Sequence, residues 1–164
     1  MPTYPNFLQF LRQWVTPETV EPSRRLTDIT LPMSEADRMP PAWTPQLERL
    51  IEQEALAAGI DPQMADRLVR IESQYNPLAR SRRGAIGLTQ LMPITIKEMG
   101  VVDPTDPVQN LRGGFGYLKK LIDRYDGDVE KALMAYNWGP RNIANAITPP
   151  PAVRAYARSI AYHQ

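Results

Sequence analysis

A chain of 164 residues is one domain's worth of sequence with room for a short extra segment. It contains no cysteine and a single histidine, His163, which argues against thiol nucleophiles, disulfides, a Ser-His-Asp triad and any multi-histidine metal site. The net charge of +1 is too small to point to nucleic acid. The chemistry must therefore rest on carboxylates, hydroxyls, amides and backbone, and no metal or cofactor is expected.

Eight of the 17 prolines lie in residues 1–45. Proline lacks an amide donor and restricts the residue before it, so this stretch reads as a proline-rich extended arm. Within it, Phe7, Leu8, Phe10, Leu11, Trp14 and Val15 follow helical spacing and make a short apolar stripe. That stripe either packs back on the main domain or docks on a partner protein or membrane surface. No apolar run approaches the roughly 20 residues that span a bilayer, and Met1-Pro2-Thr3-Tyr4-Pro5 lacks the features of a secretory signal.

From residue 46 to 164 the signals are helical. Thr44-Pro45 opens a helix that Gly59 closes, and Asp61-Pro62 opens a second that runs to about Asn76-Pro77. Pro93–Met99 suits a short helix. Asp106-Pro107 opens the longest one, with Val108, Leu111, Phe115, Leu118, Ile122 and Tyr125 three or four residues apart and Gly127 as its stop. Asp128 caps another that ends near Asn137, before Gly139-Pro140, and two short helices follow Pro140 and Pro151. The expected class is all-α, with weak hairpin potential around Gly84–Leu88. The last segment, 131–164, carries four bases and no acid.

One residue is out of place. At 100° per residue, Ala65, Leu68 and Val69 share a stripe with Glu72. A carboxyl on an apolar face is costly to ionise, so its pKa should rise, and an acid protonated near neutrality is what general acid catalysis needs. The bland alternative is a helix-terminal glutamate that reaches solvent. Downstream lie Ser81, Gly84, Gly87, Gln90 and Met92, and further on Tyr136-Asn137-Trp138. Neutral hydrogen-bonding groups, close-approach glycines and aromatics around one acid suit a sugar polymer, whose rings offer hydroxyls and C–H faces.

Ile71-Glu72-Ser73, Asn76-Pro77, Ser81, Gly84-Ala85, Gly87-Leu88-Thr89-Gln90-Leu91-Met92-Pro93 and Ala135-Tyr136-Asn137-Trp138-Gly139-Pro140 occur in an order and spacing that resembles the soluble lytic transglycosylase (SLT) domain, related to goose-type lysozyme. The resemblance runs from about residue 46 to 160. It implies a lysozyme-like helical domain with a substrate cleft. It makes Glu72 the single catalytic acid/base and places Ser73, Ser81, Gln90, Met92, Tyr136 and Asn137 on the glycan cleft. Tyr136 is expected to hold Glu72 by a hydrogen bond. Two departures stand out: Thr89 where the family has methionine, and Ala152-Val153 in place of the first two members of a Glu-Thr-Arg run. The first should alter packing beside the cleft, and the second touches contacts to the substrate's peptide stem or the cleft floor.

The implied reaction is non-hydrolytic cleavage of the MurNAc-β-1,4-GlcNAc bond of peptidoglycan, leaving 1,6-anhydro-MurNAc ends. Rival readings are a hydrolytic lysozyme or endolysin, a secretion-system wall-remodelling enzyme, and a non-catalytic structural module. The missing signal favours a virion-associated enzyme that acts on the bacterial wall in the periplasm during phage entry. The 1–45 arm would then dock on a virion or secretion-machine protein.

Overall fold

The computed structural model describes residues 44–162. The apolar stripe at 7–15, nearly all of the arm and His163 lie outside them. Seven helices follow in order: α1 (Pro45–Ala58), α2 (Pro62–Ser73), α3 (Pro93–Glu98), α4 (Pro107–Arg124), α5 (Val129–Trp138), α6 (Pro140–Ala144) and α7 (Pro151–Ala161).

Four starts are fixed by side-chain caps. Thr44, Asp61, Asp106 and Asp128 each accept from the amide three residues on, at 3.1, 2.7, 2.9 and 2.9 Å. Proline occupies the first position of α1, α2 and α4, where its missing N–H costs nothing. Gly59 ends α1 in the left-handed region at φ 71°.

Two ends differ from expectation. Helix α2 stops at Ser73, short of Asn76-Pro77, because Gln74 and Tyr75 are both left-handed at φ 51° and 63°. The Tyr75 hydroxyl donates to both oxygens of Asp66, at 3.0 and 3.1 Å, and so folds the chain back along α2. Helix α4 ends at Arg124, with Tyr125 rather than Gly127 at its cap.

The long helix α4 is central. It packs on α1 and α5, while α2 joins α1 to α7 and α5 lies against α6 and α7. Leu68, Leu111, Phe115, Leu118, Leu133 and Ile160 are fully buried between these elements, each worth roughly 1.5–3 kcal/mol of apolar transfer. One charged side chain sits among the buried groups: Glu54, paired with Arg112 at 3.0 Å.

Residues 74–92 make no helix. Two isolated antiparallel bridges, Arg80 with Ile86 and Ile86 with Leu91, fold this stretch into a small wall beside the bundle. The hairpin potential is thus real but wider than Gly84–Leu88.

Candidate active site

Helix α2 carries Glu72 to its last turn, on the stripe of buried Ala65, Leu68 and Val69. The chain then reverses through the two left-handed residues Gln74 and Tyr75. Left-handed backbone costs a non-glycine residue roughly 1–2 kcal/mol, so the fold maintains strain immediately after the acid. Glu72 is half-buried. Burial pushes its carboxyl up to about 7, against the opposing effect of a hydrogen bond from Tyr156.

That bond corrects the expected partner. The Tyr156 hydroxyl, on α7, donates to Glu72 Oε1. Tyr136 instead donates to the backbone carbonyl of Thr89 at 2.8 Å. Its ring lies 5.6 Å from that of Tyr117, and its phenol still feels the charge of Glu72. Burial, then Glu72, raises both the Tyr136 and the Tyr156 phenol, so both remain protonated hydrogen-bond donors. Tyr156 was legible as a buried-face residue, because Val153, Tyr156, Ala157 and Ile160 are spaced three, one and three apart and are all buried. Spacing within one helix does not reveal that its polar tip meets α2.

The wall at 74–92 presents the other predicted residues. Ser81 accepts from the Ala85 amide through its hydroxyl oxygen, 3.0 Å, and closes the turn before Gly87. Gln90 is left-handed at φ 49°. Its amide group donates to Ala79 O at 3.2 Å and Gly87 O at 2.9 Å. Ser81 and Gln90 are therefore wired into the wall itself. Met92 is half-buried at the start of α3. Asn137 follows Tyr136 on α5, half-buried, with no side-chain hydrogen bond to the described residues. Ser73 does not join this group: it is buried and its hydroxyl donates to Val69 O within α2, 3.1 Å. Its place next to Glu72 in sequence puts it on the core side of the helix.

Asn110, on α4, anchors the wall. Its Oδ1 accepts from the Thr89 amide and hydroxyl, both at 2.8 Å, and its Nδ2 donates to Ile86 O at 3.0 Å and Pro104 O at 2.8 Å. Thr89 is fully buried. A Cβ on Gly114 would stand 2.3 Å from Thr89 Oγ1, and one on Gly87 would stand 2.1 Å from Asn110 Nδ2. The departure from methionine at Thr89 thus lies beneath the wall, in a polar contact with α4. The second departure also resolves structurally: Val153 is buried in α7, and the Arg154 guanidinium donates to Pro149 O. Among the described residues no group of three or more His, Asp or Glu side chains could hold a metal ion.

Residues 49–157 match the model of the Transglycosylase SLT domain, and the chain belongs to that family. It is 45% identical over 90 residues to a protein named Transglycosylase from Enterobacteria phage PRD1, covering 51% of this chain and 34% of that one. It is 39% identical over 109 residues to a membrane-bound lytic murein transglycosylase F of Desulfosudis oleivorans, covering 62% and 24%. In structure it is similar to an inactive mutant of the lytic transglycosylase Slt from Pseudomonas aeruginosa, with TM-score 0.60 and 25% identity over 68% of this chain and 22% of that one. The 70 kDa soluble lytic transglycosylase of Escherichia coli shares the fold at TM-score 0.60 and 23% identity, over 68% of this chain and 22% of that one. The chain thus spans about a third or less of the length of these relatives.

Proposed function

We propose that this protein is a peptidoglycan lytic transglycosylase in which Glu72 serves as both acid and base. The observation that carries this reading is the setting of Glu72: burial raises its carboxyl to about 7, so a large share keeps its proton near neutrality, and Tyr156, rather than a second carboxylate, is the group that acts on it. A two-carboxylate glycosidase holds its second acid about 5–10 Å from the first. Yet residues 73–102 contain no Asp and only Glu98 as another acid, and no second carboxylate is among the groups that shift Glu72.

Glu72 would give its proton to the glycosidic oxygen as the bond to the MurNAc anomeric carbon breaks. The sugar's own acetamido group would stabilise the positive charge. The Glu72 carboxylate, steadied by the Tyr156 hydroxyl, would then take the proton of the MurNAc C6 hydroxyl as that oxygen closes on the anomeric carbon. Intramolecular closure avoids immobilising a separate water. Atoms balance with no water consumed, and the product is a 1,6-anhydro end. Asn137, Gln90 and Met92 would contact the glycan from the cleft walls.

The phage relative supports a virion setting, in which the 1–45 arm would dock the enzyme on another virion protein while the domain opens the wall locally. Digestion of purified sacculi in labelled water tests the reaction. Anhydro-muropeptides lighter by one water than the hydrolysed products are expected. Reducing ends that carry the label would make the protein a lysozyme instead.

A further inference from the structure

The wall beside Glu72 carries a feature that the mechanism does not use. Residues 73–97 hold four bases, Arg80, Arg82, Arg83 and Lys97, and no acid. Three of the four crowd one turn. Its geometry is fixed: the Ser81 amide donates to Ala85 O, and the Gly84 amide to Ser81 O, each at 3.0 Å, while the Ser81 hydroxyl accepts from Ala85 N. Gly84 is left-handed at φ 85°, which tightens the turn. Arg80 forms a bridge with Ile86, and Ile86 with Leu91, so the turn is joined to the strand-like stretch that holds Gln90. Gln90 itself donates to Ala79 O, next to Arg80.

Arg80 and Arg83 are exposed and take part in none of the ion pairs among the described residues. Leu78, two residues before Arg80, is exposed at 67% and adds an apolar patch to the same rim. Exposed guanidiniums such as those of Arg80 and Arg83 attract anions, and a guanidinium pairs with a carboxylate through two parallel hydrogen bonds. We propose that the turn Arg80–Ala85 is a rim that captures the free carboxylates of the peptide stems on the wall polymer, with Arg80 and Arg83 as the pairing groups. This rests on the reading of the chain as a peptidoglycan-cleaving enzyme. A glycan strand lying against Gln90 would carry its stems out over the adjoining rim. A mixed apolar and cationic rim fits a short peptide with carboxylates better than a polyphosphate.

The test is the double variant Arg80→Gln/Arg83→Gln in the full chain. It is assayed on intact sacculi and on the same glycan stripped of its stems by an amidase. Sedimentation of Glu72→Gln protein with both materials, with and without the two arginine changes, gives a readout independent of cleavage. Exposed charge pairs are worth about 0.2–1 kcal/mol each. Two of them predict a KM on intact sacculi raised roughly two- to thirtyfold with kcat unchanged. The wild-type advantage should shrink as salt rises, since exposed charges are screened. On stripped glycan the variant should match the wild type.

Equal losses on both materials, or none on either, would overturn the proposal. So would a defect confined to vesicles of anionic phospholipid, which would make the rim a membrane contact. If the protein cleaves nothing, the enzymatic reading fails, while stem-dependent sedimentation lost in the arginine variant still decides the rim.

Discussion

The helical bundle and the wall at 74–92 share a core but satisfy their backbone in different ways. The bundle is held by apolar faces: Leu68 on α2, Phe115 on α4 and Leu133 on α5 lose all contact with solvent. Each such side chain contributes through its own contacts, so a small truncation costs in proportion to the apolar volume removed. The wall also buries Tyr75, Leu88 and Leu91, but its backbone has no helix to pair it and is tied by hydrogen bonds that converge on Asn110 and Gln90. Removing one partner there leaves several buried groups unsatisfied at once. The proposed chemistry lies at the seam, where the charge of Glu72 in the bundle is felt by the phenol of Tyr136, whose hydroxyl is fastened to the wall.

The largest effect should separate chemistry from both structures. Glu72→Gln is expected to lower turnover on sacculi by about 10²–10⁴-fold while circular dichroism shows an unchanged fold. A folded variant that keeps more than about a tenth of the activity would remove Glu72 from its role.

Next comes the wall's anchor. Asn110→Ala strips partners from Ile86 O, Pro104 O and the Thr89 amide together. It should cost about 3 kcal/mol, read by denaturant unfolding, and reduce activity with it. Leu121→Val, a truncation of the bundle that leaves neighbours free to close, should cost about 1 kcal/mol. Equal costs for the two would erase the distinction between the regions.

Glu72 also makes stability depend on pH. Its carboxyl is raised from 4.5 to about 7 in the folded protein, so the native state binds the extra proton between those values. The associated stability is fully present below about pH 4.5 and is lost as pH rises through about 7. The Glu72→Gln variant should therefore gain on the wild type from pH 5 to pH 8, by roughly 2–3 kcal/mol. A difference that stays flat with pH would show the carboxyl to be fully solvated.

Tyr156→Phe removes the hydrogen bond that favours the ionised carboxylate. The Glu72 pKa should climb further, moving the alkaline limb of the kcat profile to higher pH, with turnover down by about tenfold. An unmoved limb would mean that Tyr156 only packs. The smallest effect belongs to the exposed Lys119–Asp123 pair at 2.5 Å: Lys119→Ala should change stability by less than about 0.5 kcal/mol.

The same contrast explains what could be read from the residues alone. Helix starts were legible because Thr44, Asp61, Asp106 and Asp128 announce themselves locally, and Glu72 was legible because helical phase sets it among apolar neighbours. The end of α2 was not, because it depends on Tyr75 reaching back to Asp66. Nor was the partner of Glu72, since Tyr156 lies 84 residues away and only the packing of α7 on α2 brings it close. Ser73 and Tyr136 were placed by analogy with motif neighbours, yet a side chain's direction depends on helix rotation. For Ser73 that rotation aims the hydroxyl at Val69.

Asn110 has a consequence for the order in which the molecule comes apart. Its side chain bonds three points of chain, at Ile86, Thr89 and Pro104, and all three hang from one residue of α4. The wall then has little reason to persist when α4 loosens, and little means of opening while α4 holds. The amide hydrogen of Thr89 should exchange with solvent at the rate of the amides in the middle of α4, rather than at the faster rate usual for a segment without helix or sheet. Catalytic competence and the folded bundle would then disappear in a single step on heating, with no partly open, inactive form between them.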